Sequence, residues 1–137
     1  MRSRTVRTAL IAASAIVVLF ANESRAADPA AGEKVFARCK QCHTLEPGKN
    51  RVGPSLAGVF GRKAGVVVGF NYSAEYPAAG AKGLAWNEEA LDKYLANPRK
   101  FLVEYLGKPD AKTRMVFMLP KADERENIIA YLKQNPK

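Results

Sequence analysis

Histidine and cysteine are scarce in this chain: its 137 residues include one histidine and two cysteines. A structural zinc site needs four ligands, so these residues cannot complete one. With a single histidine, a metal centre held by two imidazoles is excluded outright. Long apolar runs are lacking too, because the run from Thr8 to Ala21 is shorter than the ~20 residues that a membrane-spanning helix needs.

The N-terminal segment has the order of features that is typical of a secretory signal peptide. Three arginines lie between Arg2 and Arg7, the apolar run follows, and Ser24-Arg25-Ala26 ends in small residues suited to cleavage. We therefore expect residues 1–26 to be removed and residues 27–137 to form one domain in a periplasm. The alternative is an uncleaved membrane anchor, which the shortness of the apolar run disfavours.

Both cysteines and the histidine lie in one run, Cys39-Lys40-Gln41-Cys42-His43. Two thiols three residues apart lie on one side of a helical turn. There they can add across the two vinyl groups of a haem, while the adjacent imidazole reaches the iron. This is the c-type haem attachment pattern. A thioredoxin-like redox pair would need a βαβ context, which is missing here, and a plain disulfide would leave His43 unexplained.

A haem iron held by one histidine has a vacant sixth position, and the group that fills it separates electron transfer from small-molecule chemistry. Once Met1 leaves with the signal peptide, Met115 and Met118 remain, both just before the last predicted helix. A thioether is a soft, neutral ligand that favours reduced iron and closes the site to oxygen and peroxide. Because most methionines only fill cores, the residues alone indicate that one of the two binds iron, without choosing between them.

Four segments have the apolar spacing and capping residues of helices. The first begins at Asp28-Pro29 and leads into the haem-binding turn. The other three run from Trp86 or Asn87 to Ala96, from about Pro98 to Leu106, and from about Lys121 to Gln134. Between Thr44 and Ala85 the chain is rich in glycine and proline and shows no sustained period. We expect loops there that wrap the haem, which replaces the missing core. With no strong strand signal, the predicted fold class is all-α.

The net charge of the whole sequence is +9, and about +6 remains once the charged residues of the signal peptide are removed. A basic surface speeds encounter with acidic partners and is sensitive to salt. Nucleic-acid binding is the other interpretation of such a balance, but export and a haem site argue against it.

Several short motifs occur in a fixed order along residues 27–137. They are Cys39-Lys40-Gln41-Cys42-His43-Thr44, Gly53-Pro54-Ser55-Leu56, Phe60-Gly61-Arg62-Lys63-Ala64-Gly65, Gly69-Phe70-Asn71-Tyr72, Trp86, Tyr94-Leu95-Ala96-Asn97-Pro98, Thr113-Arg114-Met115-Val116-Phe117 and Ile129-Ala130-Tyr131-Leu132. In these motifs and in their order, the chain resembles class I cytochromes c, specifically the branch that contains mitochondrial cytochrome c and bacterial cytochromes c2. The resemblance implies a class I cytochrome c fold, with three to five helices and long loops wrapped around one covalent haem c.

The resemblance also assigns residues to the site. Met115 occupies the position of the family's axial methionine, with Arg114 where the family has lysine, and Met118 is left to packing. The Pro54 carbonyl is expected to accept a hydrogen bond from the His43 ring. The remaining implied roles are Arg62, Tyr72 and Trp86 at the haem propionates, Tyr94 beside the axial methionine, Phe117 against the haem near its exposed edge, and Gly32, Phe36, Ile128 and Tyr131 at a crossing of the first and last helices.

The function that the resemblance implies is a soluble periplasmic carrier, which is not an enzyme and moves one electron at a time between larger redox complexes. By family position, basic residues ring the exposed haem edge: Arg38, Arg51, Arg99, Lys100, Arg114 and Lys121. The expected partners are acidic surfaces of a bc1 complex, an oxidase of a respiratory chain, a photosynthetic reaction centre or a periplasmic dehydrogenase. We expect a monomer without stable membrane insertion. The alternatives are a haem peroxidase or reductase, which would need an open iron site, and a dedicated haem subunit of a membrane complex.

Overall fold

The computed structural model describes residues 26–135, which fold around five helices. These are α1 (Pro29–Cys39), α2 (Glu75–Ala81), α3 (Glu88–Ala96), α4 (Pro98–Leu106) and α5 (Ala122–Gln134). The only β pairing within residues 26–135 is an isolated antiparallel bridge between Lys63 and Ala85. The all-α prediction is confirmed, whereas the predicted signal peptide, apart from Ala26, lies outside the described residues.

Local sequence explains where three of the helices begin. Asp28, Asn87 and Asn97 each accept a backbone N–H of the following first turn with a side-chain oxygen, at 2.8–3.0 Å. Such caps satisfy N–H groups that have no partner inside the helix. Helix α4 ends at Gly107, whose φ of 66° lies in the left-handed region that glycine adopts readily. The predicted bounds of these helices therefore agree with the structure to within about two residues.

Helix α2 corrects the expectation of loops throughout residues 44–85. Its seven residues include Pro77 and Gly80, and no side chain caps its first turn. The helix is held by packing instead, because Tyr76 and Ala79 are buried. A Cβ on Gly80 would lie 2.1 Å from the carbonyl oxygen of Ala64, so only glycine allows this approach. Tertiary contacts rather than local propensity therefore stabilise α2.

The first and last helices cross at Gly32. A Cβ there would lie 2.1 Å from the Asn127 carbonyl oxygen and 2.8 Å from Cβ of Tyr131. The Phe36 and Tyr131 rings pack next to this point with their centroids 5.4 Å apart. The Asp28 N–H also donates to Oδ1 of Asn127 at 2.7 Å. The predicted crossing is confirmed, and it anchors the helix that ends at Cys39.

Two long-range contacts hold the loop segments in place. The Asn50 side chain accepts the Ser55 N–H at 2.9 Å and donates to the Val68 carbonyl at 3.1 Å, which ties two stretches of the loop region together. The Leu119 N–H donates to the Leu95 carbonyl at 2.8 Å, which ties the segment before α5 to α3. None of the helices among residues 26–135 has the length and apolar character needed to cross a membrane.

Candidate haem site

The attachment run forms a tight turn at the end of α1. The N–H groups of Cys42 and His43 both donate to the Cys39 carbonyl, at 3.1 and 2.9 Å. Both thiols are free, with Cys39 half-buried and Cys42 exposed. Burial is the largest cause that raises the pKa of the Cys39 thiol. The turn therefore keeps Cys39, Cys42 and His43 within one hydrogen-bonded loop.

The imidazole of His43 is oriented by the loop that follows it. Its Nδ1 lies 2.7 Å from the Pro54 carbonyl oxygen, so the contact that the resemblance implied is present. A carbonyl can only accept, so Nδ1 carries the proton and Nε2 keeps a free lone pair. Burial is the largest cause that lowers the pKa of His43. The ring is therefore neutral at pH 7, which is the form that binds metals.

Gly53 lets the loop backbone lie against this ring. A Cβ at Gly53 would lie 2.3 Å from Cε1 of His43 and 2.7 Å from its Nδ1. The Gly53 N–H also donates to the Cys42 carbonyl at 2.8 Å, so the loop is tied to the attachment turn. The sequence marked Gly53 only as part of a motif, because its role depends on a contact across ten residues of chain.

Met115 is held on both sides by hydrogen bonds. Its N–H donates to Oγ1 of Thr113 at 3.1 Å, and its Sδ accepts the Tyr94 O–H at 3.4 Å. The side chain is half-buried and packs against the main core, whereas Met118 is 53% exposed. Because a haem ligand must face the interior, this arrangement favours Met115 over Met118.

Buried aromatic rings surround the Tyr94 hydroxyl. Trp86 packs against Tyr94 with ring centroids 4.8 Å apart, and Tyr76 packs between Tyr94 and Tyr72 at 6.3 and 5.6 Å. Burial is the largest cause that raises the pKa of Tyr94 well above its usual 10.0, so its hydroxyl stays protonated. Tyr76 was missing from the predicted site, because its role depends on residues from three separate segments.

The predicted propionate partners lie near one another. The backbones of Arg62 and Trp86 are joined by the bond from the Trp86 N–H to the Arg62 carbonyl at 2.9 Å. Burial raises the pKa of the Tyr72 phenol, and the positive charge of the Arg62 guanidinium opposes that rise. Arg62 donates to the carbonyls of Ser55 and Ala57 at 3.0 and 2.6 Å. A guanidinium has five N–H donors, so others remain for a further acceptor.

The donor chemistry of this region provides a test of whether it fits a haem. Nε2 of His43 keeps a lone pair for iron, and the Arg62 guanidinium keeps N–H donors beyond those given to Ser55 and Ala57. A carboxylate is an acceptor with which such donors form strong hydrogen bonds. These groups therefore fit the iron and a propionate of a haem. The buried Ser73 hydroxyl, by contrast, lies near the Glu75 carboxylate.

Comparison with known proteins decides the family. A family model described as Cytochrome c matches residues 29–136. The chain belongs to the cytochrome c family. Its cofactor is accordingly one covalently attached haem c, as the attachment motif predicted.

Bacterial cytochromes c2 are among the relatives of this cytochrome. It is 50% identical to cytochrome c2 of Rhodospirillum rubrum over 107 residues, covering 77% of this chain and 96% of the relative. It is 49% identical to cytochrome c2 iso-1 of Rhodospirillum centenum over 113 residues, covering 77% and 94%. The solved structure of cytochrome c2 from Rhodospirillum centenum superposes with a TM-score of 0.75 at 47% identity, covering 78% and 97%. The class I cytochrome c fold is therefore confirmed.

The predicted docking residues of this cytochrome differ in the contacts that they make. Arg38 and Lys121 both approach Glu124, at 2.8 and 3.9 Å, so these two share one carboxylate. Of the other predicted members, Arg51 donates to the Lys40 carbonyl, Arg114 donates to the Asn71 carbonyl, Lys100 pairs with Glu104, and Arg99 is exposed. Phe117 is 36% exposed and follows Val116, which is 85% exposed. An apolar surface therefore lies directly after Met115, beside Arg114.

A buried carboxylate on α2 braces the segment that leads to Met115. Oε1 of Glu75 accepts the Lys112 N–H at 3.1 Å, and Nζ of Lys108 lies 3.9 Å from it. Hydrogen bonds from its own N–H and from that of Lys112 are the largest causes that lower the pKa of Glu75 below its usual 4.5. Sequence patterns did not identify Glu75, because the bond that gives it a role joins it to Lys112, 37 residues further along the chain.

This carboxylate predicts a pH-dependent contribution to stability. Because the pKa is lower in the folded state, the contribution is fully present above pH 4.5 and is lost as the pH falls through the lowered pKa. Glu75→Gln is therefore expected to reduce the free energy of unfolding at pH 7 by about 1 kcal/mol, with the difference narrowing at pH 3. Urea denaturation of the haem-bound protein at both pH values measures it. Glu126→Gln, at an exposed position of α5 with no ion pair among the described residues, is the control. A difference for Glu75→Gln that does not change with pH would contradict the assignment.

Proposed function

We propose that this chain is a periplasmic one-electron carrier whose haem is attached through Cys39 and Cys42 and whose iron is bound by His43 and Met115. The proposal depends on one observation, which is that a hydrogen bond orients the side chain of each candidate iron ligand. Pro54 directs the imidazole of His43, and Tyr94 contacts the thioether of Met115. The similarity to cytochromes c2 over almost their whole length supports the same assignment.

The residues of the chain tune and protect the redox centre. When bound, the haem supplies the site that accepts and releases one electron. Pro54 keeps the His43 ring in one tautomer and orientation. The soft thioether of Met115 favours the reduced state and raises the reduction potential. Because both ligands are held in both oxidation states, little has to reorganise, and no bond is made or broken in a substrate. The proposed role is therefore not enzymatic.

Partner docking is proposed at the surface next to Met115. The exposed Val116 and the half-exposed Phe117 form its apolar part, and Arg114 supplies adjacent positive charge. Arg38 and Lys121 form a second basic group around Glu124. A small interface steered by charge allows fast, reversible encounter with the acidic surface of a redox complex. Cleavage of residues 1–26 would release the monomeric carrier into the periplasm.

Carbon monoxide separates a carrier from a haem enzyme. The reduced protein is expected to bind carbon monoxide poorly at neutral pH, because the Met115 thioether occupies the sixth position. The measurement is a titration followed in the visible spectrum, with Met115→Leu as the matched variant that should bind the gas readily. Ready binding by the unaltered protein would favour a peroxidase or reductase. Purification only as part of a membrane complex would favour a dedicated subunit.

A further inference from the structure

One peptide group lies between the Asn50 side chain and the ring of His43. It joins Pro54 to Ser55: its carbonyl oxygen lies 2.7 Å from Nδ1 of His43, and its N–H donates to Oδ1 of Asn50 at 2.9 Å. The peptide is trans and planar, so its C=O and its N–H point in opposite directions. One end of the group therefore faces the imidazole while the other end faces Asn50.

The two partners of the Asn50 side chain fix the orientation of its amide. The Ser55 N–H can only donate, so it must face Oδ1. The Val68 carbonyl can only accept, so it must face the NH2 group, which lies 3.1 Å away. A flipped amide would place two donors against each other and two acceptors against each other. The amide oxygen of Asn50 is thus held toward the Ser55 N–H.

Asn50 opposes the rotation that would turn the Pro54 carbonyl away from His43. The pyrrolidine ring fixes φ of Pro54, so ψ of Pro54 and φ of Ser55 set the direction of the peptide between them. Ser55 is 2% exposed, and its hydroxyl donates to the Glu46 carbonyl at 2.6 Å. Because the peptide is planar, turning its carbonyl away from His43 also turns its N–H away from Asn50. The two hydrogen bonds are therefore kept or lost together.

We propose that Asn50 is a positioning residue, which acts through the peptide between Pro54 and Ser55 to orient and strengthen the hydrogen bond from His43 to the Pro54 carbonyl. The inference rests on the proposed function, since it takes His43 as an iron ligand. A peptide whose N–H donates to an acceptor has a more negative carbonyl oxygen, because linked hydrogen bonds polarise one another. A stronger acceptor at Nδ1 makes the imidazole a more basic ligand, which favours Fe(III). Asn50 therefore acts to lower the reduction potential.

Two substitutions change the acceptor at position 50 in opposite ways. Asn50→Leu keeps the branched shape of the side chain and removes the acceptor. Asn50→Asp keeps the acceptor and gives it a negative charge, which makes the hydrogen bond stronger. Both substitutions remove the NH2 group that donates to Val68, so the loss of that loop contact is common to them. Asn135→Leu is the matched control, because the Asn135 NH2 group also donates to a backbone carbonyl, that of Tyr131 on α5, at 2.7 Å.

The decisive experiment measures two properties of the haem-bound protein, the reduction potential and the proton NMR signal of the His43 Nδ1–H in the reduced, diamagnetic form. Asn50→Leu is expected to shift the equilibrium between the iron states about 1.5- to threefold toward Fe(II), or about 10–30 mV upward at 59 mV per tenfold change. The Nδ1–H signal should move upfield, because a weaker hydrogen bond deshields the proton less. Asn50→Asp should shift both properties in the opposite direction, and Asn135→Leu should shift neither.

A role of Asn50 in holding the loop alone would give a different result. Both Asn50 variants lose the contact with Val68, so they would then shift the potential in the same direction and leave the His43 signal in place. That result, or an unchanged potential in Asn50→Leu, would overturn the inference. If Asn50→Leu yields no haem-bound protein, Asn50→Asp decides alone. A downfield His43 signal then supports the inference, and an unchanged or upfield signal overturns it.

The proposed function is tested separately by the spectrum of the unaltered protein. Sharp α and β bands in the reduced form, together with the near-infrared sulfur-to-iron band in the oxidised form, support His43 and Met115 as the ligands. With these bands present, Asn50 variants that behave like the unaltered protein overturn the role of Asn50 alone. If the unaltered protein lacks the bands, the ligand assignment fails and the inference fails with it.

Discussion

Replacing Met115 with leucine is expected to abolish the near-infrared charge-transfer band and to lower the reduction potential on the order of 0.2 V, a part of the ~0.8 V range that axial ligands set. The band arises from a sulfur–iron bond, so it disappears with the sulfur. The potential falls because a soft thioether favours Fe(II) and its loss removes that preference. Leucine has nearly the same volume, so packing around the site should change little. Absorbance of the oxidised protein and a redox titration measure the two effects.

Met118→Leu is the matched control for this substitution. Met118 lies three residues further along the chain and is 53% exposed, so removing its sulfur should change neither the band nor the potential appreciably. Retention of the band in Met115→Leu together with its loss in Met118→Leu would transfer the ligand role to Met118.

Gly53→Ala is expected to lower the yield of haem-bound protein on the order of 10–100-fold, as is common when a residue that orients a metal ligand is altered. The added Cβ would lie 2.3 Å from Cε1 of His43, so either the ring or the loop must move. Movement of the ring breaks its hydrogen bond to the Pro54 carbonyl. Movement of the loop breaks the hydrogen bond from the Gly53 N–H to the Cys42 carbonyl. Intact mass of the exported protein measures attachment, with residues 27–137 plus one haem as the expected unaltered species.

Gly48→Ala controls for the general cost of adding a methyl group to a loop glycine. A Cβ at Gly48 meets nothing within 4 Å, although its φ of 72° makes the substitution strained by about 1 kcal/mol. This variant should be slightly less stable and should still carry haem. Normal haem content in Gly53→Ala would show that the His43 ring does not depend on the close approach of this loop.

The helices that could be predicted from sequence are those whose ends are encoded locally. Asp28, Asn87 and Asn97 cap helices with their own side chains, so the signal lies within a few residues of the boundary. Helix α2 has no such cap, and its Gly80 is explained only by the backbone of Ala64, which lies far away in sequence. A helix held by distant contacts leaves no periodic pattern to detect.

The residues of the candidate site also divide into those that the sequence could identify and those that it could not. His43 could be identified because a run of five residues holds both cysteines and the histidine, and Met115 because few methionines were available and the resemblance chose between them. Tyr76 and Glu75 could not, since each acts on a partner 37 residues away in the sequence. Hydrogen bonds of this kind depend on how the loops fold back, which a single sequence does not display.

The crossing of α1 and α5 has a consequence for the order in which the domain can close. These are the first and last helices of the described residues, so the packing surface around Gly32 has no partner until the end of the chain is available. A chain that lacks α5 would therefore expose this surface, together with the Phe36 ring that otherwise packs against Tyr131.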